Sequence, residues 1–175
     1  MKYLVAYYSR TGNNRFVAEK LAADLQADLV EIKPRVNVFL LNIFGLTLGI
    51  KKIAKNIQDY NAVILCGPIW MGQLVAPLRE FIKKNQKIIK RLYFVTCCGG
   101  GEAEKDSQFG YEGVFKKAAN ILGSAFAGGT ALSTSWLLSD QKEATPENVM
   151  EIKLNEHNFQ GRIREAYTQF VHTLA

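Results

Sequence analysis

The chain has 175 residues, a length that suits one domain spanning residues 1–175, and its 48% hydrophobic content is enough for a sizeable core. Lys and Arg outnumber Asp and Glu by 22 to 16, giving a net charge of +6, which favours acidic partners in general. No recognition helix or aromatic RNA-binding signature accompanies the lysines, which fall on exposed helix faces, so nucleic-acid binding is not expected. Cys66, Cys97 and Cys98 lack C-x-x-C spacing, which argues against a disulfide framework and against a zinc site. The adjacent Cys97-Cys98 pair reads as small, semi-buried thiols, with a redox-active pair as the alternative.

Tyr3-Leu4-Val5-Ala6-Tyr7-Tyr8 is a continuous apolar run of the kind a buried strand makes, and Phe16, Val17, Leu21 and Leu25 then recur at helical spacing. Met1-Lys2 leads straight into the strand with no charged segment and cleavage site, so a cytoplasmic location is expected. Between strand and helix lies Ser9-Arg10-Thr11-Gly12-Asn13-Asn14. The first N–H groups of a helix have no intrahelical partner and carry about half a unit of positive charge, so this turn can cradle a phosphate. Ser9 and Thr11 offer hydroxyl donors, Gly12 allows close backbone approach, and Asn13 and Asn14 offer amide donors or cap the helix. The alternative is an ordinary capped strand–helix turn. The pattern is neither G-x-x-x-x-G-K-[ST] nor G-x-G-x-x-G, which disfavours a P-loop or a GxGxxG dinucleotide site.

Asp28 to Lys33 alternates as a half-exposed strand does, at or near a sheet edge, and Pro34 ends it. Arg35 to Ile57 reads as a helix or an irregular lid. Its apolar part, Val38 to Ile50, is too short to span a bilayer, so no stable membrane insertion is expected; it covers the sheet, forms a homodimer contact, or touches an apolar substrate or membrane surface. Ala62 to Cys66 is a further buried strand. It leads into a loop, Gly67-Pro68-Ile69-Trp70-Met71-Gly72, and then a helix with Pro77 in its first turn. Trp70 and Met71 beside Gly72 read as binding residues, with a lid-packed Trp as the alternative.

Leu92 to Cys97 is a fourth strand, and Cys98-Gly99-Gly100-Gly101-Glu102 is its loop; three successive glycines bring backbone N–H groups close to something or let the loop move. Gly113 to Leu122 predicts a helix stopped by Gly123. Ser124 to Leu132 predicts a weaker fifth strand, because it carries two glycines. Thr145-Pro146-Glu147-Asn148 signals a helix start, and the chain to Phe170 reads as helical with a break near Asn155 to Gly161. Glu102 and Asp106 read as helix-capping residues or as partners of a ligand edge, and His157 and His172 as solvent-exposed or lightly packed.

Strand and helix alternate five times, which demands an α/β fold: a five-stranded parallel sheet with helices on both faces, a three-layer α-β-α sandwich, in the order 2-1-3-4-5. Ligands in such sheets bind beyond the carboxyl ends of the strands at the switch point between strands one and three. The loops beginning at Ser9, Gly67 and Cys98 converge there.

Those three loops together resemble the flavodoxin family, over residues 1 to about 132. The first is similar to the family's Ser/Thr-x-Thr-Gly-x-Thr/Asn loop, and Leu65 to Pro77 resembles its Pro-Ile-Trp-x-Gly-x-x-x-x-Pro-Leu form. The resemblance implies FMN as cofactor. It places the phosphate on Ser9, Arg10, Thr11, Gly12, Asn13 and Asn14, and the ring beside Pro68, Ile69, Trp70, Met71 and Gly72. Cys98, Gly99, Gly100, Gly101 and Glu102 would then meet the ring's pyrimidine edge. Trp70 or Met71 would stack on the ring, and Gly72 would offer a carbonyl that can turn toward its N5.

Two features depart from the family. Flavodoxins that act as shuttles are usually acidic, whereas this chain is basic, which favours a less negative potential. The strand-four loop, Cys98 to Gln108, also lacks the aromatic residue that covers the outer flavin face in many flavodoxins. Trp70 covers that face, Phe109 or Tyr111 folds back over it, or it is open to a small acceptor. Three functions follow from the resemblance. One is an electron-transfer protein that works with a redox partner protein, and another is an FMN-dependent NAD(P)H or quinone reductase. The last is a non-catalytic binding module that uses the cradle for another phosphate or has lost the cofactor.

Overall fold

The structure, a computed structural model, describes residues 1–36, 48–138 and 145–174. In chain order the elements are β1 (Tyr3–Tyr7), α1 (Asn13–Asp24), β2 (Asp28–Glu31), β3 (Ala62–Cys66), β4 (Ile69–Trp70), β5 (Gln73–Leu74), α2 (Ala76–Asn85), β6 (Leu92–Cys98), α3 (Tyr111–Leu122), β7 (Phe126–Ser133), α4 (Pro146–Glu151) and α5 (Arg162–Leu174), with short 3-10 turns between some of them. Five strands form one parallel sheet in the order β2-β1-β3-β6-β7. This is the expected 2-1-3-4-5 arrangement.

The central strands read as unbroken apolar runs because both of their faces are covered. Leu4, Ala6, Val63, Leu65 and Phe94 point to the layer of α2 and α3, where Leu78, Phe81, Ile82, Val114 and Phe115 meet them. Val5, Tyr7, Ile64, Cys66 and Val95 point the other way, onto Val17 and Leu21 of α1 and Ile163, Tyr167 and Phe170 of α5. Burying one such Leu, Ile or Phe side chain contributes about 1.5–3 kcal/mol, so the two layers fix which face each strand residue takes.

Several expectations shift in detail. β2 ends at Glu31 rather than Lys33, and lies at the sheet edge as expected. Pro34 does not close the segment, since it bridges to Ile50. The described part of the predicted helix-or-lid over 35–57 is irregular, with a 3-10 turn at Ile57–Asp59, so the basic run Lys51–Lys55 is not a helix face. The apolar run at 38–47, and with it the possible homodimer contact, lies outside the described residues. The fifth strand begins at Phe126, and its glycines have separate reasons. Gly128 takes a φ of +144° beside the register irregularity opposite Leu92 and Tyr93. Gly129 gives room to the Phe115 ring, which a Cβ would approach to 2.5 Å. Thr145 caps α4 as predicted, its hydroxyl accepting from the Asn148 N–H at 3.3 Å, but the helix ends at Glu151, earlier than expected.

Among the described residues, one buried side-chain oxygen is unsatisfied. Thr96 on β6 is fully buried, and its hydroxyl has no hydrogen-bond partner among the described residues. An unpartnered buried hydroxyl costs about 1–3 kcal/mol, so Thr96→Val is expected to raise the stability read in denaturant titration by about 1 kcal/mol. A lower midpoint would show that the hydroxyl has a partner in solution.

Candidate functional site

The turn after β1 is built to leave donors open. Gly12 takes a φ of +103° and starts α1 without a side-chain cap, and the first turn carries no acidic residue. Its N–H donates to Ser9 Oγ at 3.2 Å, and the first helical bond is Phe16 N–H to the Gly12 carbonyl at 2.9 Å. The N–H groups of Asn13, Asn14 and Arg15 therefore precede the helical ladder and have no intrahelical acceptor. A Cβ on Gly12 would meet nothing within 4 Å, so its role is the left-handed backbone that turns these donors outward.

The two asparagine side chains face inward. Asn14 is buried; its Nδ2 donates to the Cys97 carbonyl at 3.1 Å and its Oδ1 accepts from the Cys97 N–H at 2.8 Å. β3 pairs with β6 as far as Cys66 opposite Val95, so the Asn14 amide extends the ladder past the end of β3. Asn13 does the same for the chain after α4, donating to the Ile152 carbonyl at 2.8 Å and accepting from the Leu154 N–H at 3.0 Å. The expectation that these amides reach a phosphate is thus corrected: both are engaged with backbone, and only their own N–H groups are left for a ligand.

A cleft runs from this turn along the carboxyl ends of the strands, as two adjoining cavities of about 210 and 410 Å³. The first is lined by Tyr8, Arg10, Thr11, Asn13, Asn14, Pro68, Ile69, Trp70, Cys97, Cys98 and Gly99, with Thr134, Val149 and Met150. The second shares Ile69, Trp70, Cys98 and Gly99 and adds Met71, Gly100, Gly101, Phe109 and Tyr111. The loop after β3 is not irregular. β4 and β5 form a hairpin whose two-residue tip, Met71 and Gly72, has positive φ at both positions, +46° and +66°, as a primed turn requires.

A family model described as a flavodoxin domain matches residues 47–174, and one described as flavodoxin matches residues 2–40. The chain belongs to the flavodoxin family. Among solved structures, a flavoprotein from Lactobacillus acidophilus in complex with FMN is similar at 15% identity and a TM-score of 0.60, over 74% of this chain and 92% of that one. Its apo form, solved by NMR, is similar at 14% identity and a TM-score of 0.57, over 74% and 91%. A flavodoxin from the domain Archaea is similar over 98% of this chain and 95% of that one, at 9% identity and a TM-score of 0.53. No protein of curated function matches the sequence. No helix among the described residues is long and apolar enough to cross a membrane.

Within this flavodoxin fold most of the anticipated residues meet in one cleft, and four, Ser9, Gly12, Gly72 and Glu102, do not line it. Ser9 holds the turn from behind. Glu102 sits in a 3-10 turn, with Lys105 at 2.9 Å and Arg162 at 3.2 Å, and these cations hold its carboxyl below the usual range. Gly72 is buried behind the hairpin, its carbonyl accepting from Lys117 Nζ at 2.7 Å. Tyr111 proves to be the first residue of α3, and Phe109 stands at the cleft with 55% of its surface exposed.

The residues that sequence reasoning missed come from the far end of the chain. Val149 lies on Gly99 so closely that a Cβ there would be 2.6 Å from it. Thr134 donates to the Cys98 carbonyl at 3.3 Å and approaches the Val149 carbonyl at 3.5 Å. The only local signal was an apolar pair, Val149-Met150, one turn after a capped start. All three cysteines are free thiols. Burial pushes the thiol of Cys98 up to about 12 and raises those of Cys66 and Cys97 further. Cys98 is therefore a neutral thiol at neutral pH, so alkylation by iodoacetamide is expected to be slower than for an ordinary thiol and to accelerate as pH rises. Rapid labelling at neutral pH would contradict this.

Proposed function

We propose that the chain binds FMN in this cleft and passes electrons through it. The observation that carries the reading is the continuity of an uncapped helix N-terminus with a largely apolar cleft. The residues fit the cofactor. The N–H groups of Asn13, Asn14 and Arg15 with the Thr11 hydroxyl would hold the phosphate, and Arg10 adds a cation at the same end. Trp70 and Met71 would lie against the ring, and the open backbone of Gly99, Gly100 and Gly101 would meet its polar edge. Bound FMN supplies the redox chemistry; the protein holds it, excludes water through Val149 and Trp70, and sets its potential. Cys98, a neutral thiol at the floor, adds no charge there.

Reduction of a small apolar acceptor such as a quinone, with NAD(P)H as donor, is the second reading, and one observation favours it. Met71, Phe109 and Met150 all line the second cavity and are 60%, 55% and 52% exposed, which leaves an adaptable apolar mouth. The test is direct. The purified protein is expected to carry a yellow chromophore or to gain thermal stability on adding FMN; a colourless protein whose melting temperature FMN does not move would end both readings. Stepwise reduction then separates them. Two resolved one-electron steps support a carrier, and a single two-electron step coupled to NAD(P)H oxidation supports a reductase.

A further inference from the structure

We propose that Lys117 is a positioning residue that holds the Gly72 carbonyl toward α3 and so withholds this acceptor from a flavin bound in the cleft, a proposal that rests on the FMN reading above. Lys117 Nζ reaches across 45 residues to donate to that carbonyl at 2.7 Å. On its other side Gly72 is packed against the turn before α3: a Cβ there would stand 2.2 Å from the Gln108 carbonyl oxygen and 3.1 Å from Phe109 Cα. The hairpin tip is therefore held from two directions.

It needs holding. Met71 carries a side chain at a φ of +46°, a conformation that costs about 1–2 kcal/mol, and it is 60% exposed, so little packing keeps it there. Without the lysine the Gly72–Gln73 peptide loses the donor on its carbonyl, and a turn of that carbonyl toward the cleft that Trp70 and Met71 line is then opposed by the Trp70–Gln73 pairing and the packing on Gln108. A carbonyl acceptor beside a flavin stabilises the form that carries a hydrogen on the nearby ring nitrogen, which separates the first electron from the second. With the carbonyl fixed on Lys117, the two electrons move together. The lysine thus favours paired transfer to a small acceptor over single-electron shuttling.

Lys117→Met keeps the aliphatic stem and removes the donor, and Lys117→Arg keeps a donor. In the flavin-free protein, amide hydrogen exchange over Met71 to Leu74 is expected to be about fivefold faster in Lys117→Met and unchanged in Lys117→Arg, the scale of one partly exposed hydrogen bond. In the FMN-loaded protein, Lys117→Met is expected to move the first one-electron potential up relative to the second by about fivefold in equilibrium constant, roughly 40 mV, and Lys117→Arg to leave it in place. Unchanged exchange in Lys117→Met would overturn the restraint. Faster exchange with unchanged potentials would overturn its link to the flavin. If the wild type takes up no FMN, the cofactor reading fails and that link falls with it, while the exchange measurement still decides whether Lys117 holds the hairpin.

Discussion

Asn14→Ala is expected to destabilise the protein by about 2–4 kcal/mol, because it strands two buried backbone groups at once. The Cys97 N–H and carbonyl both pair with this one side chain, and Cys97 is 6% exposed, so water does not replace the amide readily. The same change unties the turn carrying Thr11 from the loop carrying Cys98, so FMN affinity is expected to fall together with stability. Asn14→Asp gives a sharper version. The carboxylate still accepts from the Cys97 N–H but faces the carbonyl with a charge, which raises its folded-state pKa above the unfolded value near 3.9. A raised pKa means the protonated form is favoured in the fold. The variant's stability is therefore greatest below the unfolded pKa and is lost as pH rises through the folded one. Urea midpoints of Asn14→Asp that do not improve on acidification, relative to wild type, would refute the proposed geometry.

Gly72→Ala is the second large effect. The new Cβ would lie 2.2 Å from the Gln108 carbonyl oxygen, a contact with backbone that no rotamer change relieves. The residue also sits at a φ of +66°, which adds about 1–2 kcal/mol for any side chain. A total cost of roughly 2–4 kcal/mol is expected unless the hairpin shifts as a unit. Such a shift carries Trp70 with it. In a Trp136→Phe background, which leaves Trp70 as the remaining tryptophan of two, the emission of Gly72→Ala should move even if the global midpoint drops only slightly. Identical emission and an unchanged midpoint together would show that the tip is not packed as described.

The parts of the fold that were legible in the sequence are those whose burial leaves no choice. β1, β3 and the apolar body of β6 are covered on both faces, so their residues show no alternation and stand out as runs. The loops that follow them could be assigned to one cleft because the order of elements fixes the sheet. The β4–β5 hairpin was not legible: two-residue strands are too short to show a period of two, and Met at a positive φ is a choice that local propensity disfavours. Nor could Asn13 and Asn14 be assigned correctly. An asparagine at a helix start offers the same amide to a phosphate, to its own helix or to a distant peptide, and only the packing of Ile152 and Cys97 decides. Val149 and Met150 reach the site across the fold, marked locally only as an apolar pair one turn after a capped start, and nothing in its own neighbourhood marks Lys117 as the partner of Gly72.

Those asparagine bonds also set an order of assembly. They join residues 83, 139 and 141 positions apart, among the longest separations in the molecule, and each must close a large loop before it forms. Residues 9–14 emerge early during synthesis, yet a chain of which only the residues up to Cys98 have left the ribosome can make the bonds to Cys97 and not those to Ile152 and Leu154. The turn that names the family at the start of the sequence is completed by the last quarter of the chain.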